Sequence, residues 1–412
     1  MNGTARYEGT NRMGKSRSAR WLPTWNVSGA WNAHEEKFFS NLTSVLSHFT
    51  LKASYSLTAD RGPADVTNSQ AIITSYSPYR PFTSIQESGL YIKELENSEL
   101  TYEKKHELNI GADMGFLNNR INLAVDWYKR NNYDLIGIVN TQGAGGQILK
   151  YANIASMKSH GIEFTLSTKN IKTKDFNWNT DFIFSNAKNE VTDLKQNANV
   201  MELISGNGFA KQGYPVRGLF SIPFVGLDKD GIPVIINEKG EATSTDINFQ
   251  ERQNTGFLKY EGPTDPTITG SLGNMFSYKG FRLNLFITYS FGNVIRLNPV
   301  FKAYYSDLTA MTREFKNRWT LPGDEAKTNV PAILSKRMYD SNEDLKYAYN
   351  AYNYSTERIA KGDFIRLKEI SLAYDFPKAW INPLKLTDLS LKVQATNLFL
   401  IYADDKLNGQ DP

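Results

Sequence analysis

The 412-residue chain contains no cysteine, no long apolar run and no cluster of basic residues. The absence of cysteine excludes a disulfide framework and thiolate metal or redox sites. A membrane-spanning helix needs about 18 or more consecutive apolar residues, and no stretch of this sequence approaches that length. The 47 basic and 43 acidic residues are spread along the chain, so the clustered basic surface typical of nucleic-acid binding is missing.

Aromatic residues and alternating patterns predict β-strands. The chain has 22 Tyr, 23 Phe and 7 Trp, a composition that favours strands over helices. The clearest alternation runs from Ile121 to Tyr128. The odd-numbered positions are Ile121, Leu123, Val125 and Trp127, and the even-numbered positions are Asn122, Ala124, Asp126 and Tyr128. Similar alternation begins at Trp25, Leu51 and Leu389. Because side chains alternate between the two faces of a strand, each stretch predicts one apolar and one polar face.

Connections of alternating length suggest how the strands are arranged. About ten strands are separated alternately by short turns and by long stretches at about residues 59–101, 131–158, 186–265 and 291–363. Outer-membrane barrels have short turns at one end and long extracellular loops at the other. We therefore predict an all-β fold over residues 1–412, a partial antiparallel transmembrane β-barrel with its apolar face towards lipid. Residues 1–20 are expected to form a loop, and interfacial aromatic girdles are expected at Trp25, Trp127, Tyr128, Trp178, Tyr289 and Tyr374.

No motif in the sequence indicates catalysis or a cofactor. The four histidines, His34, His48, His106 and His160, lack a second ligand at the spacing of a metal site. The Asp-Lys-Asp-Gly sequence at 228–231 resembles the start of a calcium loop, but the distal glutamate is missing. A turn within a hairpin at 224–236 is the better interpretation. We expect neither an enzyme nor a bound metal or cofactor.

Tyrosines in the last long connection are candidates for substrate contact. Aromatic faces can stack on sugar rings while their hydroxyl groups form hydrogen bonds. Packing against other loops or a partner protein is an equally good interpretation. The candidates are Tyr304, Tyr305, Tyr347, Tyr349 and Tyr352, with Tyr354 beside them.

The C-terminal motifs resemble a known family. The pattern G-x-F-x-R-L-K-x-I-S-L-x-Y begins at Gly362, and N-L-F begins at Asn397, before a closing Asp411-Pro412. Together they resemble the C-terminal signature of the SusC/RagA family of TonB-linked outer-membrane receptors. Residues 6–39 and 51–58 are similar to the loop and strands that come earlier in that family's barrel.

This resemblance implies import of large nutrients, glycans or oligopeptides, across the outer membrane. It also implies a SusD-like surface lipoprotein as partner, and TonB contacting an N-terminal part absent from this chain. Family barrels have about 22 strands around a plug, so the resemblance implies a fragment, the C-terminal half of the barrel without plug or closing strands. Two alternatives stay open: a soluble or surface-attached β-rich glycan-binding protein, and a passive porin.

Overall fold

Twenty strands and a set of short helices make up the described part of the fold. A computed structural model describes residues 1–62, 70–78, 87–141, 143, 149–300 and 311–412. The strands are β1 Asn2–Gly9, β2 Trp21–Asn32, β3 Leu46–Asp60, β4 Ile72–Tyr76, β5 Gly89–Glu94, β6 Glu103–Phe116, β7 Ile121–Asn140, β8 Leu149–Lys172, β9 Phe176–Leu194, β10 Gly218–Ser221, β11 Phe224–Leu227, β12 Pro233–Ile236, β13 Ala242–Thr243, β14 Lys259–Pro263, β15 Ile268–Tyr278, β16 Phe281–Phe291, β17 Val294–Arg296, β18 Ile359–Lys361, β19 Phe364–Asp375 and β20 Ser390–Ala403.

The helices are all short. The α-helices are α1 Arg17–Arg20, α2 Val200–Ile204, α3 Lys336–Ser341, α4 Leu345–Asn353 and α5 Lys378–Ile381. Short 3-10 helices occur at Ala33–Glu35, Lys37–Leu42, Arg313–Asn317, Asp324–Ala326, Thr356–Arg358, Asn382–Leu384 and Asp405–Leu407. None of the helices in the described part of the chain is long and apolar enough to cross a membrane.

One antiparallel sheet of eleven strands dominates the molecule. Its order is β1-β2-β3-β6-β7-β8-β9-β15-β16-β19-β20, and every neighbouring pair is antiparallel. The predicted antiparallel all-β fold is confirmed. The expectation of a loop over residues 1–20 is wrong in part, because Asn2–Gly9 pairs with β2 as an added edge strand. Its polar, glycine-containing sequence gives no apolar face, so only pairing with its neighbour reveals it.

The tight turns lie at one end of the sheet, together with connections of intermediate length at 33–45 and 376–389, and three long connections lie at the other end. Residues 117–120, 173–175 and 279–280 are tight turns at one end of the sheet, which we call the short-turn end. Residues 61–102, 195–267 and 292–363 connect strands at the opposite end, the long-loop end. At Lys279 and Gly280 both φ angles are positive, at 45° and 91°, as a two-residue hairpin turn of the favoured twist requires.

The predicted bounds of the loop at about 131–158 are wrong at both ends. β7 continues to Asn140 and β8 begins at Leu149, so these strands have 20 and 24 residues. The register of the pair shifts between Asn132 and Leu135, where Asp134 has a φ of 58°. This bulge breaks the alternation, and the polar sequence around it therefore resembles a loop. Because about 9–11 residues suffice for a strand to cross a bilayer, both strands are longer than one crossing requires.

The apolar positions of neighbouring strands line up across the sheet. Leu51, Ala112, Val125, Phe164 and Phe184 are register partners from β3 to β9, so they share one face. The adjacent row on the other face is Lys52, Gly111, Asp126, Glu163 and Ser185. The first face, which we call the apolar belt, also carries Tyr55, Leu108, Ile110, Leu123, Trp127, Ile162, Leu166, Phe182, Leu272, Ile287, Leu372 and Val393.

The apolar belt is exposed in this chain. Ile110, Leu372 and Val393 are 48%, 47% and 67% exposed. A contiguous apolar surface of this extent is typical of contact with lipid or with another protein. The alternation that the sequence predicts therefore becomes one continuous apolar face and one mostly polar face.

Aromatic pairs lie near both edges of the apolar belt. At the short-turn end, the ring centroids of Phe281 and Tyr374 are 4.4 Å apart. At the long-loop end, Trp25 contacts Tyr55 at 5.2 Å. Tyr128 does not belong to this set, because it follows Trp127 and so lies on the polar face. Its side chain is 6% exposed.

Gly270 in β15 leaves room for a tyrosine ring. The Tyr289 hydroxyl donates a hydrogen bond to the Ile183 carbonyl at 2.8 Å, and a Cβ on Gly270 would collide with both of those oxygens. We expect Gly270→Ala to lower the free energy of unfolding by about 1–3 kcal/mol through overpacking. Chemical denaturation in detergent measures this change.

Gly273 in the same strand provides the matched control. A Cβ there would meet no atom closer than 3.6 Å, so Gly273→Ala is expected to leave the unfolding midpoint nearly unchanged. Equal losses for the two variants would contradict the steric explanation.

Candidate ligand-facing loops

The two longest connections fold together at the long-loop end. We call residues 195–267, 292–300 and 311–363 the loop body. Within it, α2 begins with a capping box: the Asn199 side chain accepts from the Glu202 backbone, and the Glu202 carboxylate accepts from the Asn199 backbone, each at 2.8 Å. Its hydrophobic core consists of Ala198, Val200, Leu203, Ile204, Phe220, Ile222, Ile235, Leu258 and Ala351.

The predicted hairpin at 224–236 is confirmed as β11 and β12. In its turn, Asp228 Oδ1 accepts hydrogen bonds from the backbone N–H groups of Asp230 and Ile232, both at 2.9 Å. The carboxylate therefore stabilises the turn itself. Across the described residues, no group of three His, Cys, Asp or Glu side chains is placed to hold a metal ion.

Arg296, at the end of β17, joins separate segments of the loop body. Its Nη1 donates to Ser221 Oγ at 3.1 Å and to the Ser355 carbonyl at 3.0 Å. Its Nη2 donates to the Ile204 carbonyl at 3.1 Å and to the Phe220 carbonyl at 2.6 Å. The planar guanidinium suits such a fork of acceptors, so one side chain connects α2, β10, β17 and the segment after α4.

The Arg296 guanidinium remains charged although it is enclosed. Burial lowers its pKa to about 10, and the nearby Glu261 carboxylate opposes this change. A pKa of about 10 still leaves the group protonated at neutral pH. The surrounding carbonyl oxygens thus replace water as the partners of a permanent cation.

A second arginine anchors the neighbouring part of the loop body. Arg358 is 2% exposed; its Nη2 lies 2.7 Å from Glu314 Oε1 and donates to the Asn298 carbonyl at 2.6 Å. The Tyr352 ring centroid is 5.9 Å from its guanidinium carbon. Burial raises the pKa of Tyr352, so its phenol is neutral at physiological pH.

A cleft of about 420 Å³ lies beside the Arg358–Glu314 ion pair. The Gln410 side chain forms part of its wall, accepting from the Asn298 backbone N–H at 2.9 Å and donating to the Arg296 carbonyl at 3.1 Å. Ligand sites are commonly clefts of about 300–1,000 Å³ with a few convergent polar groups. Its other lining residues include Arg313, Met311, Lys406 and Asn408.

The structure separates the predicted tyrosines by environment. Tyr349 and Tyr352 are each 1% exposed, so for these two the substrate-contact prediction is wrong and the packing alternative applies. Both lie on α4, where residues three apart share a face. Tyr347 lies on the other side of α4 and is 39% exposed, which leaves it available to a ligand. Tyr304 and Tyr305 lie outside the described residues.

The sheet and its loops define a class of protein. An antiparallel sheet with an apolar belt, aromatic belt edges, tight turns at one end and long folded loops at the other is the architecture of an outer-membrane β-barrel.

Comparisons with known proteins support this class. No family model matches the chain. The chain is 25% identical to TonB-dependent receptor P3 of Formosa agariphila over 99% of its own length and 40% of the relative's. It is also 25% identical to TonB-dependent receptor SusC of Bacteroides thetaiotaomicron, over 99% of this chain and 39% of SusC. The structure of the RagAB peptide transporter matches with a TM-score of 0.76 at 23% identity, over 99% of this chain and 42% of that chain.

These likenesses confirm the resemblance to TonB-dependent receptors of the SusC/RagA type. The chain spans about two fifths of the length of the curated relatives it matches.

Proposed function

We propose that this chain forms part of the barrel and the outer loops of a TonB-dependent transporter. The transporter takes up large nutrients, glycans or oligopeptides, across the outer membrane. A SusD-like surface lipoprotein covers the loops, and TonB supplies energy through a part of the receptor beyond this chain. Transport of this kind is gated binding and involves no covalent chemistry.

The apolar belt is the observation that carries the proposal. It continues from β2 to β20, while most side chains on the opposite face are polar, with Ile183, Met275 and Phe286 as exceptions; a barrel with lipid outside and water inside has this arrangement. The similarity to the TonB-dependent receptor SusC and to the RagAB peptide transporter supports the transport role, and the second name supports oligopeptides as a substrate class. Glycans are proposed from the resemblance of the sequence motifs to the SusC/RagA family. On this proposal the loop body faces the cell exterior.

The cysteine-free sequence allows a direct test of orientation. Lys229, in the β11–β12 turn of the loop body, and Lys174, in the β8–β9 turn, are both exposed. We expect a membrane-impermeant maleimide to label Lys229→Cys in intact cells, and Lys174→Cys only after the outer membrane is permeabilised. Labelling of both sites, or only of position 174, in intact cells would overturn the proposed orientation.

Tyr347 is the remaining described candidate for substrate contact. We expect Tyr347→Ala to weaken binding of a fluorescent oligosaccharide or oligopeptide about fivefold, because an aromatic contact contributes about 1 kcal/mol. The half-saturating substrate concentration for uptake, by cells that carry the receptor gene encoding this chain, measures this change. Tyr339→Ala is the matched control, since Tyr339 is 37% exposed on α3.

The same uptake assay separates a transporter from a porin. Energised transport stops when the proton gradient is collapsed, whereas passage through a passive porin continues. Unchanged uptake after collapse, with either labelled substrate, would argue against TonB dependence.

A further inference from the structure

Two histidines that are 14 positions apart in the sequence lie side by side in the structure. His34 follows β2, His48 is in β3, and their ring centroids are 4.2 Å apart. Both side chains are half-buried at the short-turn end. Gly115 is the register partner of His48. A Cβ placed at Gly115 would clash with the Asn119 side-chain oxygen and would lie 3.2 Å from the His48 Cβ, so the glycine leaves room for the Asn119 side chain beside His48.

Hydrogen bonds fix which nitrogen of each ring carries the proton. His34 Nδ1 lies 3.0 Å from the Phe49 carbonyl oxygen, which only accepts, so Nδ1 is protonated and Nε2 keeps its lone pair. Thr50 Oγ1 donates its one proton to Asn32 Oδ1 at 3.0 Å. It must therefore accept from His48 Nε2 at 3.2 Å, which leaves the lone pair of His48 on Nδ1.

We propose that His34 and His48 form a site for a borderline divalent cation such as Zn²⁺, Ni²⁺ or Cu²⁺. Neutral imidazole nitrogens are preferred ligands of these ions. Metal-binding histidines usually donate their other N–H to a carbonyl or a similar acceptor, and both rings have that arrangement. With two protein ligands, water completes the coordination. The site lies on the polar face, far from the loop body, and does not depend on the proposed transport function.

Titration of metal into the chain tests the site. The chain is purified in detergent without a histidine tag, and isothermal titration with Zn²⁺ or Ni²⁺ is expected to show one ion bound per chain. His34→Gln and His48→Gln should each abolish binding. His160→Gln should leave it unchanged, because His160 is exposed on β8 and serves as the matched control. Undiminished binding by His34→Gln would overturn the proposal, as would no binding by the unaltered chain.

Two further measurements keep the test independent of misfolding. Thr50→Val removes the hydroxyl that orients His48 and should weaken binding about 10–100-fold, the usual effect of losing such an outer partner. The electron paramagnetic resonance spectrum of bound Cu²⁺ should show hyperfine splitting from two nitrogens. Splitting from one nitrogen only, or a Thr50→Val affinity equal to that of the unaltered chain, would contradict the paired site.

Discussion

Arg296→Met is expected to lower the free energy of unfolding of the loop body by about 3–5 kcal/mol. The substitution leaves the carbonyl oxygens of Ile204, Phe220 and Ser355 without the donor they have now. Each enclosed polar group that loses its partner costs about 1–3 kcal/mol. Methionine preserves most of the side-chain length, so the loss reports on the hydrogen bonds. Hydrogen exchange of the backbone amides in residues 195–265 measures the effect.

Two variants define the specificity of this result. Arg296→Lys keeps the charge but loses the planar fork, and we expect a smaller loss than for methionine. Arg217→Met removes an exposed ion pair with Asp265, where both side chains are 48% exposed, and should cost less than about 1 kcal/mol. If Arg296→Met and Arg217→Met were equally mild, Arg296 would not be the connection that holds the loop body together.

Most of the sheet was predictable because the alternation of polar and apolar residues along each strand is a local feature of the sequence. In β7, every residue from Ile121 to Trp127 except Ala124 shows its face through its own polarity, and the tight turn before it is mostly polar. The prediction is wrong where local polarity and pairing disagree, and β9 also continues to Leu194, beyond the expected start of the connection at about 186. Asn2–Gly9 has no apolar face, and the bulge at Asp134 shifts the alternation of a strand that continues to Asn140.

The loop body and the histidine pair were not predictable because they depend on contacts between distant residues. Arg296 bonds to groups 59 to 92 positions away, and no local pattern distinguishes it from an exposed arginine. His34 and His48 meet only because β2 and β3 pair. The spacing of Tyr349 and Tyr352 on α4 does contain the signal of an amphipathic helix, which identifies them as core residues once the helix is recognised.

If the apolar belt faces lipid and Leu123 lies near the middle of the bilayer, Leu123→Arg should cost about 2–4 kcal/mol, and less if Leu123 lies closer to the interface. Leu123 lies in the belt between its register partners Met114 and Leu166. Asn122, its neighbour in the same strand, lies on the polar face between Gly115 and Ser167.

Asn122→Arg is therefore the matched control for Leu123→Arg. The new side chain carries the same charge and lies in the same strand at nearly the same depth. Because it enters water in the lumen, a much smaller loss of folding free energy is expected. Urea titration of the chain in lipid vesicles, with heat-modifiable electrophoretic mobility as the measure of folding, compares the two. Equal losses would mean that the two faces of the sheet are wrongly assigned, and the proposed membrane location would fail with them.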